Sequence, residues 1–523
     1  NDGQITTEGP LSHGIIAQSV GGGGGTGGYA VSGSIGLSNS NASNKAITIN
    51  VGGSGGAGNS SSGVNITNNG SIVVSGDSAY GILAQSVGGG GGNGGFAAAM
   101  NGLGRPSVQT LTQIAVGGSA GDGGDSGDVT VINNGSITVN GANAYGIFAQ
   151  SVSGGGGTAS LSLSNPVASL VDYSFTSLTG AKQGTAGVAG NVTIRSTGTI
   201  TVTGVNSTAF MAQSINGGGG DVDIFAEFAT DLPQEEVDET STILGVLGLG
   251  GVEQAFADAS SLVSEHTGNL ITEANNSAAM LNQAIGGGGG NNTVEVAVPE
   301  NVDVQVDIVL GAIDTHDSNG GSIDSTRDGA VSSQGDLSSG GETQSIGGGG
   351  GRLVLLTDDV AGDAEINLIV GADPSFNNHG GDITRTLLND VSTSGDYAIG
   401  ELIQSIGAGG GANYVIGGGN PTLNITLGAT DGSTGNGGSI QLINQGDMRT
   451  AGDMSHGFVL QSIGGGGGLT LTDLDAVTVN PSDNNGGNGG PISFTNVGDI
   501  YVSGEGGFGV LLQSLGGGGG FVD

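Results

Sequence analysis

The chain has 523 residues, 115 of them glycine and none cysteine, and its 8 Lys+Arg against 47 Asp+Glu give a formal net charge of −39. A surface so acidic repels phosphate backbones and anionic headgroups, which argues against nucleic acid and anionic membranes as partners. No run of about 18 apolar residues is present to span a membrane as a helix, and 9 prolines without a triplet glycine period exclude collagen.

In chain order, the opening NDGQITTEGPLSHGIIAQSV matches the interior of a later stretch, NNGSIVVSGDSAYGILAQSV at 68–87, so the sequence reads as a segment of a longer protein. A short apolar strand, a Gln, a small residue, an aliphatic residue and a burst of glycines then recur. The glutamines are Gln18, Gln85, Gln150, Gln213, Gln283, Gln344, Gln404, Gln461 and Gln513, separated by 67, 65, 63, 70, 61, 60, 57 and 52 residues. Self-similarity at such a period signals a solenoid. In the second unit, segments starting at Tyr29, Lys45, Val64 and Ala79 alternate apolar with polar or small residues between Gly, Asn, Asp and Ser. That is the signature of strands and turns. Asn68–Gly70 and Asn133–Gly135 are NNG turns of a composition suited to left-handed backbone.

The fold class read from this pattern is all-β: an elongated parallel β-helix (β-solenoid) of nine imperfect units of ~60 residues, each forming two or three coils. Residues 1–523 form one solenoid segment, with two departures. Residues 158–185 read as an insertion or loop. Residues 221–275 read as a part-helical insertion, with Glu253–Val263 as a short amphipathic helix. Gly341–Thr343 in place of an aliphatic strand, and Glu401 within another, predict looser coils.

Residues two apart in a strand share a face. Each Gln therefore lies beside two large aliphatics in eight units of nine, as Gln85 does between Leu83 and Val87. The Gln side chains are read as structural and inward, and each amide needs a partner, in a backbone turn or in a neighbouring coil. The glycine bursts sit at a fixed offset from each Gln. They read as an ordered track allowing close packing of backbone layers, with flexible loops as the alternative.

Acidic Gly-rich turns recur, among them GDGGDSGD at Gly121–Asp128. They read as solvated turns. The alternative is Ca²⁺ binding, for which Asp122, Asp125 and Asp128 form the best cluster of metal ligands. No lysine follows a glycine run as a phosphate loop requires. Asp221/Asp223 and Asp358/Asp359 are nominal carboxylate pairs for glycoside hydrolysis. His13, His266, His316, His379 and His456 are dispersed, and His13 and His456 occupy the slot that Tyr80 and Tyr145 fill elsewhere. No residue is singled out as catalytic.

The whole phrase, GxIxVxGxxAxGIxAQSIGGGGG, resembles the repeats of very large bacterial autotransporter passengers, over nearly all the chain except 158–185 and 221–275. The resemblance implies a secreted right-handed β-helix, normally followed by an outer-membrane barrel, at the bacterial cell surface or released from it. The function expected is a non-catalytic stalk or adhesive scaffold in biofilm or cell–cell contact, whose partners are surface glycans, cells or further copies of itself. The alternatives are a self-associating extracellular matrix fibre and a polysaccharide-acting β-helix hydrolase. No cofactor is expected, Ca²⁺ in the acidic turns excepted.

Overall fold

Alternating β-branched and polar residues form strands whose side chains point alternately inward and outward, as the buried and exposed positions of Val64–Asn68 show. The computed structural model describes residues 1–523 apart from 22–26, 37–44, 52–58, 90–93, 104–109, 117–123, 155, 167–172, 180–181, 186, 230–240, 250–251, 256, 298–301, 312, 361–364, 372, 420, 431 and 482–485. One coil runs through Leu262–His266, Leu270–Thr272, Met280–Ile285, Gly289–Ala297, Val302–Leu310 and Ile313–His316, and Ile323–Arg327 then lies directly against Leu262–His266. Equivalent strands of successive coils make six sheets, called here the first to sixth in that order, with 8, 9, 9, 9, 8 and 4 strands. The protein is all-β, a parallel β-helix, and no helix occurs among the described residues.

Gln18 pairs in register with Gln85, Gln85 with Gln150, and so on to Gln461 with Gln513. Each repeat is therefore a single coil rather than two or three, and coils are numbered by the Gln they carry. Strands of the fourth and fifth sheets run to 11 and 9 residues, so one wide turn consumes the whole unit. Successive coils rise by about 4.8 Å.

Both stretches read as insertions belong to the coils themselves. Gly156–Pro166, Tyr173–Thr179 and Lys182–Thr185 pair with Gly219–Ala229, Ser241–Leu249 and Val252–Ala255 in the fourth, fifth and sixth sheets. The centre of the second stretch, 231–240, lies outside the described residues. The helix expected at Glu253–Val263 is absent: Val252–Ala255 is a strand, and Leu262–His266 opens the next coil in register with Val192–Ser196. Pairing with the neighbouring coil overrides the local helical spacing.

The first three sheets enclose one core, with Ile82, Val131, Val202 and Phe458 among its side chains. The other face of the third sheet packs against the fourth, around Leu402, Tyr414 and Leu471. Both faces of the third sheet are thus buried, which is why ILAQSV and IFAQSV carry no simple alternation.

Two corners flank the second sheet. At the NNG corners the left-handed backbone expected from composition does not occur. Asn68 turns inward, its Nδ2 donating to the Gly70 carbonyl (2.8 Å) and to Asn133 Oδ1 (2.7 Å). Glycine is needed there for space, since a Cβ on Gly135 would stand 1.8 Å from the Gly70 oxygen. The left-handed column lies at the next corner: Leu11, Ser78, Asn143, Asn206, Asn276, Leu337, Tyr397 and Met454 have φ of 50–60°. Asn tolerates this region and Met does not. Met454→Asn is expected to raise stability by about 1 kcal/mol, read as a higher urea midpoint at unchanged slope.

Candidate functional site

The repeated phrase forms two side-chain ladders on opposite faces of the third sheet. On the face toward the fourth sheet, the Nε2 of each Gln donates to the Oε1 of the Gln in the next coil. The distances are 2.5–2.8 Å over the whole series from Gln18 to Gln513. In coils 5 to 8 the same Nε2 also lies 3.2–3.4 Å from the carbonyl of the glycine seven residues on, Gly290, Gly351, Gly411 or Gly468. On the opposite face, the serine after the Gln ties two coils together. Ser405 Oγ donates to the Gly381 carbonyl of its own coil and accepts the Gly438 N–H of the next, both at 2.7 Å. Ala284 interrupts this ladder in coil 5.

The described glycine bursts are ordered. Gly287, Gly288, Gly289 and Gly290 have φ of 85, 84, 117 and 141°, and their backbones bond between coils, as in Gly349 N–H to Gly286 O at 2.6 Å. Close approach is the reason for glycine: a Cβ on Gly351 would stand 2.1 Å from the Gly290 oxygen, and one on Gly411 1.8 Å from the Gly351 oxygen. Only the last three positions of the burst are glycine in every unit; Ser153 and Asn216 occupy the first position in coils 3 and 4, and Ala408 the second in coil 7.

Of the candidate metal ligands, Asp122 lies outside the described residues. Asp125 Oδ1 accepts the Val188 N–H and Asp128 Oδ1 the Asn191 N–H, each at 2.8 Å. These carboxylates cap the next coil's backbone. The same device stacks Asp336, Asp396 and Asp453, each receiving the N–H of the acid one coil on. No group of three or more metal-ligating side chains occurs among the described residues. His13 and Tyr80 pack with tilted rings, centroids 4.9 Å apart, and Tyr80 and Tyr145 likewise at 5.2 Å. The Nδ1 of His13 accepts the Tyr80 N–H, and that of His456 the Phe508 N–H.

The chemistry that composition and motif reading missed is concentrated in the middle coils. Of the five basic residues whose side chains are described, Arg327, Arg352 and Arg385 are buried, at 0, 3 and 0% exposure. In the core behind the third sheet, Glu401 bonds Arg385 Nε at 2.7 Å and lies 3.4 Å from Arg327 Nη1. A Cβ on Gly341 would stand 2.6 Å from both Glu401 oxygens. The Gly-Glu-Thr departure therefore does not loosen the coil; it makes room for the carboxylate. On the other face, Arg352 Nε donates to Glu342 (3.2 Å), Nη2 to Asn276 Oδ1 (2.8 Å) and Nη1 to Asn291 Oδ1 (3.4 Å). The Tyr414 hydroxyl reaches Glu342 at 3.1 Å, with the Arg352 guanidinium 5.0 Å from its ring centre. Farther along, Asp221 accepts from the Tyr145 hydroxyl (2.6 Å) and Asn291 Nδ2 (2.8 Å). Asp223 follows two residues later on the same strand. The side chains of Asp358 and Asp359 lie outside the described residues.

Burial pushes Asp221 up to about 6, against the opposing hydrogen bonds from Tyr145 and Asn291, and burial together with the Asp221 charge also raises Asp223 well above the usual carboxylate range. Burial, aided by Arg327, depresses His266 to about 4, and burial alone does the same to His456. An unfolded histidine titrates near 6.5, so between about pH 4 and 6.5 the unfolded chain binds more protons at these sites. Their contribution to stability is complete above 6.5 and is lost as pH falls through that window. Asp221 works in the opposite sense, because the folded chain takes up its proton first as pH falls through 6 toward 3.8. His266→Asn, which copies Asn133 of the same column, should lose less stability between pH 7 and 5 than the parent, and Asp221→Asn should lose more. Urea midpoints at both pH values check this.

No protein-family model, curated protein or solved structure matches the chain.

Proposed function

We propose that this chain is a non-catalytic scaffold, a stalk or adhesive segment displayed at a bacterial surface or released from it. The observation that carries the reading is the unbroken Gln ladder through nine coils. The chain's repeated chemistry serves stacking, with the Gln, Ser and Gly of each phrase bonding or approaching one coil to the next. Among the described residues, the buried carboxylates Asp221, Glu342 and Glu401 each bond or ion-pair with Tyr, Asn or Arg. The exterior meanwhile presents fixed columns of acids, which favour solubility and mutual repulsion. The resemblance of the phrase to autotransporter passengers supports the location and the extended, load-carrying role.

Negative-stain electron microscopy of the purified chain tests the proposal. Isolated particles of one coil stack agree with a scaffold that stands alone. Ordered fibres built from many copies would replace it with the matrix-polymer reading. Cleavage of an acidic or neutral polysaccharide, lost in Asp221→Asn, would replace it with a hydrolase.

A further inference from the structure

We propose that the three-walled core of coils 5 to 7 is a buried binding site for a small monovalent anion of halide type, held by Arg327 and Arg385. In other coils this column is apolar: Ile66, Val131, Ile194 and Leu442 occupy the positions that Ser264, Ser325 and Arg385 hold in coils 5 to 7. The two guanidinium groups are both fully buried and face one carboxylate, Glu401. Among the described residues, the other buried acids, Glu342 and Asp221, lie beyond the third sheet with Arg352 and Tyr145. His266 lies in the same core and adds no negative charge. The enclosure therefore carries one uncompensated positive charge, and an isolated buried ion is costly.

Unused donors accompany that charge. Among the described residues of this core, Arg327 Nε and Nη2, Arg385 Nη2 and Thr343 Oγ1 have no hydrogen-bond partner, nor have the two His266 ring nitrogens, Asn282 Oδ1 and Glu401 Oε2, the last 3.4 Å from Arg327 Nη1. Buried polar atoms are almost always paired with protein, water or an ion. Water can satisfy donors, but it does not neutralise the charge. A halide accepts several N–H bonds from different directions, supplies one negative charge and needs little room. A phosphate or carboxylate ligand is larger and would compete with Glu401 for the bidentate face of Arg385.

Thermal unfolding of the full chain at fixed ionic strength, in sodium chloride against sodium gluconate, tests the assignment, since gluconate is too large for an enclosed core. Chloride should raise the melting midpoint. Arg385→Met, which leaves one arginine facing Glu401, should abolish the difference between the salts, and Glu401→Gln, which leaves two unpaired cations, should enlarge it. Crystals grown in sodium bromide should show an anomalous peak within hydrogen-bonding distance of both guanidinium groups. If Arg385→Met does not fold, Glu401→Gln and the bromide peak still decide. Equal midpoints in the two salts for the parent and Glu401→Gln, or bromide crystals with no peak at the arginines, would overturn the site and leave water as its occupant.

Discussion

Gly411→Ala is expected to cost more than about 4 kcal/mol of folding stability, whereas Gly348→Ala, in the burst one coil earlier, should cost only about 1 kcal/mol. The two residues lie in nearly identical runs, and composition does not separate them. Gly411 has a φ of 147°, where an L side chain is strained, and a Cβ there would stand 1.8 Å from the Gly351 oxygen and 2.8 Å from its carbon. Both atoms are backbone, so relief requires two coils to separate, and the Gln404 contact to the Gly411 carbonyl goes with it. Gly348, at φ 80°, corresponds to Ala408 of the next coil, which the fold already accommodates at φ 61°. Chemical denaturation of the two variants measures the contrast. Equal losses would show that the bursts are sensitive to chain flexibility rather than to contact between layers.

Glu401→Ala should be nearly as damaging, at about 3–5 kcal/mol, because it leaves Arg327 and Arg385 buried without a carboxylate. The pair itself need not be a net source of stability, since desolvation offsets much of its attraction. Coil 8 supplies an uncharged alternative for the same columns: Asn444, Leu442 and Phe458 stand where Arg327, Arg385 and Glu401 stand. The triple variant Arg327→Asn, Arg385→Leu, Glu401→Phe is therefore expected to recover most of the loss or to exceed the parent. Urea midpoints of the single and triple variants distinguish a charge left unpaired from a hole left unfilled, since a hole would be closed by size alone.

Much of the architecture is readable from period and alternation. The recurrence of Gln fixes a solenoid, and a strand period of two puts Gln85 on one face with Leu83 and Val87. What pairs with that Gln is not readable, because the partner depends on how many coils a repeat makes. With several coils per unit, Gln would meet some other residue; with one, it meets Gln. The serine beside it escaped notice for the same reason, its partners lying in corners 24 residues before it and in the next coil. The NNG corner misleads because glycine has two uses, positive φ and lack of a Cβ, and composition does not tell them apart. The arginine cluster had a signal. Arg327 and Arg385 fall on inward positions of period-two strands, in coils where Gly341 and Glu401 replace aliphatics. Joining those facts requires knowing that the four positions face one enclosure.

The absence of cysteine permits a direct test of the one-coil repeat. Thr384 and Gln441 are exposed, 57 residues apart, and paired in adjacent strands of the first sheet. Substituting both with cysteine should give a disulfide within each chain on mild oxidation, since paired strands hold Cα atoms about 5 Å apart, inside the range a disulfide spans. Thr384→Cys with Ser493→Cys, two coils apart, should give none. If each repeat made two or three coils, residues 384 and 441 would stand about 10–14 Å apart, and failure of the first pair to cross-link in folded protein would contradict the account.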